Sequence, residues 1–370
     1  MLDLARRLLF LALIAALLPQ GSLAAADRLI LRNLDFILDR TVVAFDEDGL
    51  RLDAPRAGGS DRLTWDQIER GAIALDQPRF DQLLGELGPP LYRIRQRLKI
   101  GDYETLAEPA EQMYSRFADR KSDTAYMVCQ AVMWSRLAMG QREAAVEPYF
   151  RCLEILRADA AQPADLPGDR RLNVDLRTGL SGDLTPLWFD AAAARTALAA
   201  VQETIKGMAQ PRLEGVYVYY ATLALAAGDS GEVARVLAPL QSDDPQIAAW
   251  RSIIALQQDV LSGKPTAATL PLGQQIDALP AACRPAALYW LGLAGVASAD
   301  ERVVRDGLLH LLSLPAEYAT SDRELAAAGL YQAAQGLDKL KAERAGAAVR
   351  RELASQYAGT FYANKLATER

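Results

Sequence analysis

The sequence predicts a mainly α-helical protein, an array of helical hairpins preceded by a small β-rich module. Three observations predict it. From residue 77 onward apolar residues recur at three- and four-residue spacing, the signature of amphipathic helices. These runs are paired about short turns centred on Gly101, Gly140, Gly228 and Ala299. Between residues 28 and 71 the texture differs, with short β-prone runs separated by polar or glycine-bearing turns.

In the N-terminal part, residues 29–31, 41–45, 50–52 and 62–65 read as strands. Asp48-Gly49 is expected as a hairpin turn, because glycine tolerates the positive φ such turns require. Ala57-Gly58-Gly59-Ser60 makes a looser second connection. Four or five strands in so short a stretch predict a small curled sheet or SH3-like barrel. Its own core is small, so it is expected to pack on the helical part of the chain.

The helical part opens with Leu91, Ile94 and Leu98, turns at Gly101-Asp102-Tyr103-Glu104, and returns with Leu106, Ala110, Met113 and Tyr114 on one face. Residues 125–139 pair with 143–156 about Gly140, 216–227 with 233–240 about Gly228, and 286–296 with 303–312 about Ala299. A last pair, 324–335 with 337–357, is expected at the C-terminal end.

These hairpins resemble tetratricopeptide repeats, whose period is about 34 residues with small residues at the helix crossings. Gly101-Asp102-Tyr103-Glu104 looks like the family's inter-helix turn. With Gly228 as that turn, Val233, Leu237 and Leu240 fall at the second helix's positions and Asp244-Pro245 where a repeat ends. Ala145, Tyr149 and Cys152 play the same part after Gly140, and Leu353 with Tyr357-Ala358-Gly359-Thr360 is similar to repeat endings of exported bacterial members. The resemblance runs from about Pro89 to the C-terminus and implies a right-handed solenoid with a surface for protein or peptide partners. The N-terminal stretches 46–52 and 63–68 resemble a short β segment found ahead of repeat regions in some exported bacterial proteins.

The four turns lie 39, 88 and 71 residues apart, and the middle interval is too long for two repeats. The excess belongs to a loop at about 158–189, rich in Pro, Asp, Gly and Arg in its first half and apolar over residues 172–180. Loops of this length in compact domains are functional or disordered. Arg170, Arg171 and Arg177 are candidate binding residues there. Trp188 and Phe189 are candidate exposed anchors for a partner; the alternative is that they close the core beneath the loop.

Arg6-Arg7, the apolar run at 8–18 and small residues at Ser22 and Ala24 predict a cleavable signal peptide cut after Ala24. The expected organisation is a leader at 1–24, the β module at 25–75 and the helical domain at 76–370. Cleavage leaves 346 of the 370 residues and moves the net charge from −6 to −7, since Asp3 departs with Arg6 and Arg7. The mature chain is expected to be periplasmic or otherwise exported, with no transmembrane segment, because a bilayer core needs about 20 apolar residues in a helix. A mildly acidic chain without basic clusters argues against nucleic acid.

Three cysteines in an exported chain raise the question of pairing. If the chain turns at Gly140-Gln141, Cys129 and Cys152 stand at equal height on two antiparallel helices. A disulfide is then sterically possible; the alternative is two small apolar residues in a tight interface.

No catalytic constellation emerges. The single histidine, His310, sits in a leucine run, where a packed interface residue is the commoner role, and three scattered cysteines form no Cys-x-x-Cys pair. Asp46-Glu47-Asp48-Gly49 resembles the start of a calcium loop, but Ala44 and Pro55 would fall on the first and twelfth ligand positions. Gly263-Lys264-Pro265-Thr266 lacks the upstream glycine of a phosphate loop. The expectation is therefore a non-enzymatic scaffold without metal or cofactor. The alternative is an enzyme with a carboxylate and arginine site between loop 158–189 and the helical groove, which a closed cavity with convergent charges would favour.

Overall fold

The computed structural model of the chain describes residues 27–32, 37–53, 61–159, 163, 166–237, 240, 243–264 and 276–369. The expected leader and the Ala57-Gly58-Gly59-Ser60 connection lie outside them. The chain divides into two units, residues 1–92 and 93–370.

The first unit holds two three-stranded antiparallel sheets. One orders β2 (Ile37–Asp39), β1 (Arg28–Leu31) and β6 (Ile68–Ala72); the other orders β3 (Val42–Asp46), β4 (Gly49–Leu52) and β5 (Arg62–Leu63). The β3–β4 hairpin turns one residue earlier than expected. Asp46 pairs with Gly49, so Glu47 and Asp48 form the loop and Gly49 opens β4. A Cβ on Gly49, whose φ is +142°, would lie 2.3 Å from the Leu63 carbonyl oxygen, which is why glycine stands there. The strand expected through Trp65 ends at Leu63, and Trp65–Gln67 is a 3₁₀ turn leading into β6. Alternating inward residues Leu29, Leu31, Leu50, Leu52 and Leu63 are buried with Trp65 and Ile68. The first part of α1 (Gln77–Ile100) adds Phe80, Leu83, Leu87 and Leu91 to the buried set. Buried Asp27 accepts from the Val42 and Ala74 amides at 2.7 Å each and so ties β3 to the segment after β6.

The second unit is helical, apart from one short hairpin among its described residues. Its helices are α2 (Tyr103–Phe117), α3 (Asp123–Ala138), α4 (Val146–Asp159), α5 (Ala191–Gly207), α6 (Glu214–Ala227), α7 (Ser230–Leu237) and α8 (Pro245–Leu261). They continue with α9 (Arg284–Ala297), α10 (Glu301–Tyr318), α11 (Arg323–Lys339), α12 (Glu343–Gln356) and α13 (Phe361–Thr368). Consecutive helices pack on one another from α2 to α6 and from α8 to α13, while α7 and α8 each pack against α6, and α12 and α13 both pack against α11.

Gly101, Gly140 and Gly228 take positive φ at the expected turns. The last turn falls later than predicted: α11 continues to Lys339 and the chain reverses at Lys341, φ +56°. Leu337 therefore belongs to α11. Asp244-Pro245, expected as a repeat ending, starts α8: Asp244 accepts from the Gln246 and Ile247 amides and Pro245 occupies the first turn, where its missing N–H costs nothing. Helix α5 was not anticipated as an element. Where α9 crosses α10, a Cβ on Gly295 would stand 2.7 Å from Gly307 Cα, so two glycines set the helix separation.

The second half of the long loop, residues 172–188, sends apolar side chains into the core. Val174–Asp175 (β7) and Leu180–Ser181 (β8) form a hairpin, and Leu172, Leu180, Leu184 and Leu187 are buried. Tyr149 Oη donates to the Gly179 carbonyl at 2.7 Å and Tyr219 Oη to the Leu184 carbonyl at 2.6 Å. Loop backbone that would otherwise need water is thus satisfied by phenols of α4 and α6.

Among the described residues no helix is long and apolar enough to cross a membrane.

Candidate binding cavity

A cavity of about 590 Å³ lies within the helical unit, bordered by the α3–α4 turn, α5 and the first turns of α11 and α13. Its geometry begins with Gly140. The left-handed residue ends α3 and lets the chain turn, and its missing side chain leaves room for Glu324 Oε1, which would stand 2.8 Å from a Cβ there. Arg142 and Glu143 come next in the turn, and both are almost wholly buried.

Arg142 reaches the start of α11. Its Nη1 and Nη2 meet Asp322 Oδ1 and Oδ2 at 3.2 and 3.0 Å, and Nη2 also donates to the Thr185 carbonyl at 2.9 Å. One prong hydrogen-bonds the carboxylate and the other stands at ion-pair distance from its second oxygen, a charge-assisted pair. Nε of Arg142 is buried without a hydrogen-bond partner. Asp322 also caps α11, accepting from the Leu325 amide.

Glu143 Oε1 accepts from the Phe189 and Asp190 amides at 2.9 and 3.1 Å, and Asp190 in turn caps α5 through the Ala192 and Ala193 amides. Glu324 Oε2 accepts from the Phe361 amide, at the start of α13, at 3.1 Å. Carboxylates thus meet the exposed N–H groups of three helices whose N-termini converge here, an arrangement that helix dipoles favour. Burial nevertheless pushes the Glu324 carboxyl up to about 7, against the opposing pull of the Phe361 N–H and of Arg142; Asp322 and Glu143 add to the rise.

The rim is also paired. Arg136 holds Glu111 at 2.7 and 3.0 Å and donates to the Ala144 carbonyl. Glu147 accepts from Tyr114 Oη and from Arg151 Nε. The opposite wall is apolar, formed by Ala193, Ala197 and Ala200 of α5 with Phe189 and Phe361.

A second cavity, of about 370 Å³, shares Arg142 and Glu324 with the first. Arg170 borders it, its guanidinium 3.5 Å from the Trp134 ring centre and 5.1 Å from that of Tyr103, with Asp183 at 3.6 Å. Burial raises the Asp183 carboxyl, opposed by the Asn173 N–H and Arg170.

The residues singled out in the sequence separate accordingly. Arg170 borders the smaller cavity and Phe189 the larger. Trp188 is not an exposed anchor: it is 5 % exposed and its Nε1 donates to Thr222 Oγ1 at 2.9 Å, so it closes the core beneath the loop. Phe189 is half-buried, edge-on to Tyr289 and Tyr362 with ring centres 5.6 Å away in each case. Arg171 braces the loop through the Gly168 and Leu166 carbonyls, and Arg177, 79 % exposed, pairs with Asp175 and Asp244; neither borders either of these two cavities.

The sterically possible Cys129–Cys152 disulfide is not formed. All three cysteines are free and buried, and desolvation pushes the thiols of Cys129 and Cys152 well above their ordinary range. Both serve as small apolar residues in the α3–α4 interface. His310 is half-buried on α10, outside both cavities, and burial lowers its pKa.

Arg142, Glu143, Asp322 and Glu324 were not singled out in the sequence. Their only local signal is position, next to a turn glycine or at a helix start; what joins them is a contact across 180 residues of chain. Comparison of the chain with protein-family models, with curated proteins and with solved structures finds no match.

Proposed function

We propose that the protein is a non-enzymatic protein–protein interaction scaffold of the cell envelope, periplasmic or otherwise exported. In this reading the helical hairpins are of tetratricopeptide type, stacked as a right-handed solenoid and preceded in sequence by an SH3-like module, and the larger cavity receives part of a partner polypeptide. The observation that supports binding over catalysis is how the charges around that cavity are used. Acid–base chemistry needs groups free to exchange protons with a bound substrate. Here Glu143 and Asp190 satisfy helix N-termini, Glu111 and Glu147 hold arginines, and Arg142 grips Asp322.

The second reading, an enzyme with a carboxylate and arginine site between loop 158–189 and the helical groove, draws on one observation. Glu324 combines a carboxyl held near 7 with a place between both cavities. Among the described residues lining the two cavities, the other carboxylates are bonded to arginines or to backbone N–H groups.

The test is affinity capture by the full chain from its own envelope fraction, beside the variant Ala200→Trp. Ala200 is exposed on the cavity wall, so the indole fills the space without disturbing the core. The scaffold reading expects a discrete set of partners, recovered about tenfold less well by the variant, as for loss of a central contact. Equal recovery by both forms, or none above background from either, removes it.

A further inference from the structure

We propose that the larger cavity is a receptor for a lysine side chain of an extended partner segment, the ammonium resting on Glu324 and the methylene stem lying along the alanine face of α5. The inference rests on the scaffold reading and names what that scaffold would hold.

Three observations lead to it. The first is charge. Five carboxylates and two guanidinium groups line the space, and the two guanidinium groups are already matched, Arg136 by Glu111 and Arg142 by Asp322. The balance left over is negative. A cation is the complementary occupant, because no unmatched cationic side chain among the described lining residues offsets Glu143, Asp190 and Glu324.

The second is the state of Glu324. Of its two oxygens, Oε2 is occupied by the Phe361 N–H, while Oε1 accepts no hydrogen bond among the described residues. One free oxygen suits a compact ammonium. A guanidinium gains its advantage by bridging both oxygens of a carboxylate, and here one of the two is already engaged by the Phe361 amide, whereas an ammonium needs only the free one. The choice between the two basic side chains therefore falls on lysine.

The third is the wall. Ala193, Ala197 and Ala200 rise one turn apart on α5, with Phe189 and Phe361 beside them. Such a surface takes an apolar stem and leaves the charge at its end, the way lysine is accommodated elsewhere. A volume of about 590 Å³ exceeds one side chain and admits the neighbouring backbone as well.

Binding of an ammonium requires the ionised carboxylate. With the Glu324 carboxyl at about 7, the ionised fraction rises about tenfold between pH 6 and pH 8, and affinity for lysine should rise with it. The charged groups facing Glu324 are Asp322, Glu143 and Arg142, which are bonded to one another or to backbone.

The experiment is calorimetric titration of the full chain with acetylated, amidated pentapeptides carrying central lysine, norleucine or arginine in an alanine background, at pH 6 and pH 8. Lysine is expected to bind about tenfold or more tightly than norleucine at pH 8, the worth of a charge-assisted hydrogen bond. It should also exceed arginine and weaken about tenfold at pH 6. Glu324→Gln should abolish the lysine preference and its pH dependence while leaving norleucine binding in place. Because the lysine and norleucine comparison is made on the unaltered protein, a variant that fails to fold does not blunt it. Lysine and norleucine binding alike, or neither binding, overturns the proposal. Butylamine or cadaverine binding as tightly as the lysine peptide overturns the polypeptide source. If partners are captured from the envelope and lost with Ala200→Trp while lysine shows no preference, the scaffold reading survives and the lysine receptor does not.

Discussion

The α3–α4 turn and the α9–α10 crossing solve the same problem, holding helices together, by opposite means. At α9–α10 the backbones approach so closely that glycines are obligatory: Gly292 faces Leu311, and Gly295 faces Gly307. Dispersion and apolar burial do the holding, and the residues concerned are near one another in sequence. At the α3–α4 turn buried Arg142 and Glu143 reach to the starts of α11 and α5, Glu324 of α11 reaches on to α13, and charge-assisted hydrogen bonds across long stretches of chain do the holding. Apolar joints fix neighbours, whereas the polar joint brings distant pairs together around a cavity. An array in which each hairpin touches only the next would not need the second kind.

If the polar joint is what closes the cavity, its loss should be the most costly change in the molecule. Arg142→Ala leaves Asp322 and Glu324 facing each other with no cation between them. Breaking a buried pair from one side costs about 3–5 kcal/mol, much of it the uncompensated charge. Urea unfolding at pH 8 should register a loss of that size. Arg142→Lys should recover only part of it, since an ammonium cannot serve both oxygens of Asp322 and the Thr185 carbonyl in one plane. A loss below about 1 kcal/mol for Arg142→Ala, the range of a surface pair, would show that the joint is incidental.

A smaller effect carries a distinctive pH signature. The Glu324 carboxyl moves from 4.5 to about 7 on folding, chiefly through burial. The folded protein then binds more protons than the unfolded chain between those values, so stability falls as pH climbs through the window. Below about 4.5 the group contributes no penalty; above 7 the penalty is complete, on the order of 3 kcal/mol. Glu324→Gln keeps an oxygen for the Phe361 amide and cannot ionise. Its stability should equal the parent's near pH 4.5 and exceed it by that amount at pH 8, as read by thermal or urea denaturation at each pH. A constant difference between the two forms across the window would contradict this account. The same substitution is expected to abolish the lysine preference, so stability and binding would move in opposite directions, the pattern of a group kept for function rather than for folding.

The contrast also explains which parts of the molecule were legible in the sequence. Turns at Gly101, Gly140 and Gly228 were readable because a positive φ selects glycine, and helix pairing came from local periodicity. The last turn was misplaced because α11 keeps its apolar spacing through Leu337 and Leu340, and Lys341 takes the positive φ without glycine's signature. Helix α5 was not legible because its alanines, good helix formers, give a weak apolar stripe beside the long loop. Burial of Leu172 and Leu180 was foreshadowed by their apolar texture, but the Tyr149 and Tyr219 hydroxyls that satisfy the loop backbone were not. At the cavity, Phe189 and Arg170 were found through the loop. Arg142, Glu143 and Glu324 were not, because a charged residue beside a turn reads as solvated, and only a contact 180 residues away makes it otherwise.

The apolar joint yields the smallest predictions, and they sharpen the comparison because one substitution should act with opposite signs at two helical glycines. Alanine in place of glycine inside a helix gains about 1 kcal/mol of helix propensity. At Gly85, exposed on α1 with nothing within 4 Å of an added Cβ, that gain should stand alone, and Gly85→Ala should stabilise by about 0.5–1 kcal/mol. At Gly295 the added carbon would stand 2.7 Å from Gly307 Cα and 2.9 Å from the Val303 carbonyl, both backbone atoms that cannot rotate away. The helices must separate, at an overpacking cost of about 1–3 kcal/mol that outweighs the propensity gain. Gly295→Ala should therefore destabilise by about 1 kcal/mol. Circular-dichroism melts of the two variants beside the parent decide it. If Gly295→Ala stabilises like Gly85→Ala, the crossing is loose, and the division between a tightly packed joint and a hydrogen-bonded one no longer holds.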